Sequence, residues 1–203
     1  MSQSRTSVTP RGRWGWRTVD IVVASVLAAA FGVLFAAWNN LVYPTISAPL
    51  QSSPAAPLLA GVWLLPAVVG ALVVRKPGAA LFTEVVAATI SMFFGSAWGL
   101  TVFLSGVWQG LGAELVFALL FYRRWGFVPA ILAGAGAGLA MGLYEASVSS
   151  IAPYAWDWKV VYVLCAVATG TVVAGGLGYL LVRALARTGA LAPFAAGRAQ
   201  DEI

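Results

Sequence analysis

Two glutamates, Glu84 and Glu114, stand inside stretches that otherwise read as hydrocarbon. A carboxylate in such surroundings costs at least a few kcal/mol unless a partner or a wet cavity stabilises it, so each is a candidate for chemistry. Glu84 and Glu114 have no Lys or Arg within their own segments. The partners on offer are Gln109, Thr83, Thr89, the backbone, Arg75 and Lys76 at the end of the preceding segment, or a bound cation. At 1.5 Å rise per residue, Glu84 lies roughly 10 Å and Glu114 about 12 Å from the same end of consecutive helices, so the two share a depth. For Glu84 a snorkelling contact to Arg75 or Lys76 competes with a ligand role. For Glu114 the competing role is a structural bond to a neighbouring helix. Glu145 falls at the end of its segment beside Tyr144, where water can solvate it.

Aromatic and amide groups crowd one half of the same segments: Trp38, Asn39 and Asn40, then Trp63, then Phe93, Phe94 and Trp98, then Trp108 and Gln109. An amide and a carboxylate together read the donor–acceptor edge of a small aromatic heterocycle, while tryptophans stack on its face or hold a cation. The candidate substrate-binding set is therefore Glu84, Trp63, Asn40, Gln109, Trp38, Trp108, Glu114 and Tyr144. Glu84 is expected to contact the ligand, Trp63 to stack on it, and Asn40 and Gln109 to read its polar edge. An interfacial aromatic belt explains any single Trp equally well; the combination with Asn40, Gln109 and Glu84 carries the reading.

The elements that position these residues follow from composition. The chain has 203 residues, 61% hydrophobic and 9% charged, with a mean hydropathy of +0.87. Soluble domains are about 45–50% apolar and about 25% charged, so an ordinary soluble enzyme is excluded. The absence of histidine and a single cysteine exclude haem-histidine, zincin and Ser-His-Asp chemistry and an internal disulfide. No P-loop or strand–turn–helix glycine fingerprint is present, because Gly134, Gly136 and Gly138 lie inside an apolar run. No cofactor and no nucleic-acid partner are predicted, and any ATP hydrolysis belongs to another chain.

A membrane span needs roughly 20 mainly apolar residues. Punctuation by Pro, Gly and basic pairs yields spans near 19–42, 58–74, 79–94, 100–122, 128–148 and 160–182. Of the 12 Lys and Arg, only Lys159 then falls on the opposite side from Arg5, Arg11, Arg13, Arg17, Arg75, Lys76, Arg123, Arg124, Arg183, Arg187 and Arg198. Positive loops stay in the cytoplasm, so the expectation is an all-α integral membrane protein with six transmembrane helices and both termini cytoplasmic. Its organisation is a basic N-terminal segment (1–18), a membrane domain (19–184) and a tail (185–203). The N-terminal arginines read as topology signals rather than as part of a cleavable leader.

Ala24, Ala28, Gly32 and Ala36 recur every fourth residue in the first span, a stripe that lets another backbone approach closely. It is expected to dock a partner helix through Ala24, Ala28 and Gly32, with packing inside the protein as the competing use. Gly134, Gly138 and Gly142 form a similar ladder, read as internal packing.

Longer motifs carry a resemblance. Arg75-Lys76-Pro77-Gly78-Ala79-Ala80-Leu81 with Glu84, Gln109-Gly110-Leu111-Gly112-Ala113-Glu114 with Phe117-Ala118, and Thr188-Gly189-Ala190-Leu191 resemble the motifs of the YkoE-type family, together with Asn40 and Gly61-Val62-Trp63. These are substrate-binding membrane subunits, S components, of energy-coupling-factor transporters associated with thiamine and its hydroxymethylpyrimidine precursor. The resemblance implies a six-helix fold in a prokaryotic inner membrane. It also implies small residues on the first helix that meet a transmembrane coupling subunit, which carries two cytoplasmic ATPases. Uptake of thiamine or hydroxymethylpyrimidine is the function it implies. An intramembrane enzyme using Glu84 and Glu114 on a lipid-like substrate is the alternative.

Overall fold

The computed structural model describes residues 14–95, 98–148, 151–189, 191 and 197. Among them there is helix and turn and no strand. Six helical stretches, here α1 to α6, run Thr18–Ser47, Ala56–Val74, Ala79–Phe93, Leu100–Leu119, Phe127–Val148 and Trp156–Arg187. Five are long and apolar enough to cross a membrane, and α3, with 15 residues, is a shorter apolar helix. The chain is a multi-pass membrane protein. The first span is longer than the sequence indicated, because a π turn at Trp38–Val42 carries the helix on through Pro44, which is tolerated in the first turn of the short segment Tyr43–Ser47.

α2 is the axis of the bundle. In its most apolar stretch 72% of residues are buried, against 28–39% for the other four long helices, so it alone is shielded all round while the rest present one side to lipid. α3 lies between α1 and α4, α4 packs on α5, α5 on α6, and α6 returns to α2. Small residues set these distances. A Cβ at Gly110 would come 2.9 Å from the Leu81 Cα, and one at Gly142 would come 3.1 Å from the Val163 Cα. Helices that gain nothing from water exclusion hold together by such backbone approach. The Gly134, Gly138 and Gly142 ladder faces Gly170, Ala166 and Val163 of α6, as internal packing requires.

The stripe on α1 is a correction to the docking expectation. Ala24 and Ala28 are fully buried. A Cβ at Gly32 would sit 2.6 Å from Ile90 Cγ2 and 3.0 Å from the Ala87 carbonyl. α3 occupies this face, so Ala24, Ala28 and Gly32 are not an open docking surface. The close approach that small residues permit is used inside the molecule.

Both basic and aromatic groups mark one end of the bundle. Arg17 precedes α1, Arg75 and Lys76 join α2 to α3, Arg123 and Arg124 join α4 to α5, and Arg183 and Arg187 close α6. Trp16 Nε1 donates to the Pro77 carbonyl at 2.8 Å, and Arg75 lies over the Trp125 ring at 5.8 Å. Burial holds the Arg75 guanidinium below its ordinary pKa. Arg5, Arg11, Arg13 and Arg198 lie outside the described residues, as does Ala190 of the last motif.

Candidate functional site

At the end of the bundle opposite the arginines, a cavity of about 510 Å³ receives side chains from all six helices. Phe35, Asn39 and Tyr43 come from α1, Ala60 and Trp63 from α2, and Glu84 and Ala88 from α3. Ser105 and Gln109 come from α4, Tyr144 and Glu145 from α5, and Trp158 and Tyr162 from α6, with Trp98 at the turn before α4. The volume falls within the roughly 300–1,000 Å³ of small-molecule sites.

The polar wall of the cavity grows out of a break in α2. Its first half winds as a tight 3₁₀ turn and its second half as an α-helix with Pro66 at the start. Pro66 has no N–H, and the first donors of an α-helix have no partner within it. Glu84 of α3 fills that place: its Oε2 accepts from the Ala67 N–H at 2.9 Å. With the Gln109 amide oriented so that both its ends are satisfied, its nitrogen donates to Glu84 Oε1 at 3.1 Å and to the Trp63 carbonyl at 3.2 Å. Its oxygen then accepts from Ser105 Oγ at 2.7 Å. Glu84 is fully buried, with its carboxylate set at the start of the α-helical half of α2. No snorkelling to Arg75 or Lys76 is needed.

Rings enclose the rest. Tyr43, Trp63 and Trp98 meet at centroid distances of 5.0, 5.5 and 5.8 Å, and Trp158 stacks on Tyr162 at 5.5 Å and on Tyr154 at 4.5 Å. Trp63 is held by its Nε1, which donates to Asn39 Oδ1 at 2.8 Å. Tyr162 donates its hydroxyl to Glu145, whose carboxylate also bonds the Ser105 side chain.

Of the residues expected at the site, the fold brings Glu84, Trp63, Gln109 and Tyr144 to the cavity and leaves four out. Asn40 is exposed and bonds its own helix at the Ala36 carbonyl, while Asn39 lines the wall. The reason is helical drift: a four-residue step overshoots the 3.6-residue turn by about 40°, so a stripe of period four rotates off its face within a few steps. The buried face of α1 instead runs through Ala24, Ala28, Phe31, Phe35 and Asn39. Trp38 is half-buried outside the cavity lining, and Trp108 is 47% exposed, touching the site only by stacking on Tyr144 at 6.1 Å.

Glu114 is the largest departure. Its Oε1 accepts from the Gly78 N–H at 2.6 Å and from the Tyr122 hydroxyl at 2.7 Å, and its Oε2 from the N–H groups of Ala80 at 2.9 Å and Leu81 at 3.3 Å. It caps the start of α3 from the neighbouring helix, at the basic end. Burial and the Glu114 carboxylate raise the Tyr122 phenol above its ordinary pKa. Gly78, at φ +85°, takes a left-handed conformation that a side chain would resist, which ties the Lys-Pro-Gly motif to this capping geometry. Glu84 and Glu114 therefore do not converge as an acid–base pair.

Sequence reasoning missed Asn39, Tyr43, Trp158, Tyr162 and the cavity role of Glu145. A signal for Asn39 and Tyr43 was available in the 3.6-residue period of α1; Tyr162 and Glu145 meet only through the packing of α5 on α6.

Residues 19–140 match the family described as ABC-type cobalt transport system, permease component. The chain is 31% identical over 185 residues, 90% of its length and 91% of the relative's, to a Bacillus subtilis (strain 168) protein that carries the name HMP/thiamine permease protein YkoE. Among solved structures it superposes on an S component of an ECF transporter with a TM-score of 0.82 and 31% identity, covering 93% of this chain and 94% of that one.

Proposed function

The chain belongs to the YkoE-type family of energy-coupling-factor S components, and on that premise we propose that it binds thiamine or its hydroxymethylpyrimidine precursor in the six-helix cavity. Uptake is from outside a prokaryotic inner membrane. The basic end faces the cytoplasm with both termini, which opens the cavity outward. A transmembrane coupling subunit and two ATPases supply the energy for release inside. The observation that carries this reading is the Glu84–Gln109 pair set in a wall of aromatic rings: a carboxylate and an amide 3.1 Å apart, beside Trp63 and Asn39. Such a pair offers its remaining acceptor lone pairs to the amino group of an aminopyrimidine edge, and the rings match its faces. Carboxylates, amides and tryptophans suit an organic heterocycle better than a transition-metal ion, which favours imidazole or thiolate donors.

The Glu84→Gln variant keeps size and removes charge. A hydrogen bond to a charged group contributes about 1.5–3 kcal/mol, so thiamine affinity is expected to fall on the order of ten- to a hundredfold. Tryptophan quenching during titration of the purified protein measures it. Unchanged affinity with a lowered melting temperature would make Glu84 a helix-capping acid only and remove it from the site.

A further inference from the structure

The break in α2 separates a donor from an acceptor. In a continuous α-helix the Trp63 carbonyl accepts from the N–H four residues on, at Ala67. Here that N–H donates to Glu84 Oε2 at 2.9 Å, and the carbonyl faces Gln109 at 3.2 Å. A carbonyl only accepts, so the nitrogen of the Gln109 amide is the end turned toward it. The same nitrogen donates to Glu84 Oε1 at 3.1 Å. Both oxygens of Glu84 are then acceptors, as in an ionised carboxylate.

With the amide so turned, its oxygen takes the Ser105 proton across 2.7 Å. A serine hydroxyl has one proton and two lone pairs, so toward a further partner Ser105 accepts. That partner is Glu145 of α5, which bonds the Ser105 side chain and receives the Tyr162 hydroxyl. Of Ser105 and Glu145, only Glu145 can supply the proton between them. An ionised Glu145 would compete for the Ser105 proton and free the amide to set its oxygen against Glu84 and the Trp63 carbonyl. The titratable groups facing Glu145 across the cavity are Tyr43 of α1, Glu84 of α3 and Tyr162 of α6, with Tyr144 beside it on α5.

We propose that Glu145 is a neutral carboxylic acid that donates to Ser105, completing a one-way chain of hydrogen bonds through Ser105 and Gln109 to an ionised Glu84. Glu145 and Ser105 are then positioning residues that act on the ligand through the Gln109 amide. They keep the negative charge of the chain at Glu84, where the pyrimidine edge is read, and in this the inference rests on the thiamine reading above.

Infrared spectroscopy of the purified protein near neutral pH locates the proton. The wild-type minus Glu145→Gln difference should contain the C=O stretch of a protonated carboxylic acid, and the wild-type minus Glu84→Gln difference the stretches of a carboxylate. Carboxylate stretches for Glu145, or the acid band for Glu84, overturn the proposal. Thiamine titration tests the positioning. Glu145→Ala and Ser105→Ala free the amide and should weaken binding on the order of fivefold. Glu145→Gln restores an N–H donor toward Ser105 and should recover most of the loss seen in Glu145→Ala. Ser105→Ala binding as tightly as wild type, or Glu145→Gln binding no tighter than Glu145→Ala, overturns the positioning role and leaves the thiamine reading standing. Should Glu145→Gln fail to fold, Tyr162→Phe carries the test: it removes a hydrogen bond to Glu145 and should shift the acid band, and an absent or unshifted band overturns the assignment. If wild type binds neither thiamine nor hydroxymethylpyrimidine, the thiamine reading falls and the positioning role with it, while the acid band still decides the state of Glu145.

Discussion

The two ends of this bundle are built from the same residue types to opposite effect. At the basic end Glu114 satisfies three backbone N–H groups and the Tyr122 hydroxyl, every bond going to the protein itself. At the other end Glu84 and Glu145 spend part of their hydrogen-bonding capacity on the protein and border a cavity of about 510 Å³. The two motif glutamates looked alike in sequence because each is one acid in a hydrophobic helix near a Gly-rich run. The difference teaches that a carboxylate within apolar helices is not by itself a ligand site. Its use depends on whether neighbouring helices close over it, as around Glu114, or part, as they do at the cavity lined by Trp63, Trp98 and Trp158.

The contrast breaks most sharply at the cap. Glu114→Ala leaves three N–H groups and a phenol without their acceptor. At about 1–3 kcal/mol for each buried group left unsatisfied, a loss of roughly 3 kcal/mol or more is expected, seen as a large drop in melting temperature in detergent. Glu114→Ala protein that melts normally but fails to bind thiamine would move Glu114 into the binding machinery and erase the division between the ends.

A smaller effect is expected where α1 meets α3. Ala28→Leu adds bulk at a fully buried contact and should cost about 1–3 kcal/mol, as overpacked interiors do. The measurement is thermal stability of the isolated subunit. A variant as stable as wild type but unable to assemble with a coupling subunit would restore the stripe as a docking face.

The finest comparison lies between adjacent asparagines. Asn39→Ala removes the acceptor that holds Trp63 Nε1 and should weaken thiamine by about 1 kcal/mol, roughly fivefold. Asn40→Ala, on the exposed side, should change affinity by less than ~0.5 kcal/mol. Titrations of the two variants side by side read the rotation of α1 directly, and a larger effect from Asn40 would mean that the helix faces the other way.

Much of the architecture was legible in the chain. Apolar length and turn residues marked the helices because a segment in lipid must satisfy its backbone internally, which leaves a strong and local signature. The Gly134, Gly138 and Gly142 ladder reported close helix packing for a similarly local reason. Less of the site could be read. Glu84, Trp63, Gln109 and Tyr144 are legible by their chemistry, whereas Asn39 and Asn40 are the same residue type side by side and only the rotation of α1 decides which one lines the cavity. The length of α1 also escaped the sequence, since its π turn and Pro44 read as a stop.

By itself, then, the sequence determined that this is a helical membrane protein, which end of each helix is basic, and which polar and aromatic residue types are set within its apolar helices. Those properties depend on composition and short-range periodicity. Only the tertiary structure decided that Glu114 is a cap and Glu84 a cavity residue, that the α1 stripe is filled by α3, and that Glu145 meets Tyr162. Each of these turns on which face of one helix is covered by another, and that is fixed by close packing between segments far apart in the chain.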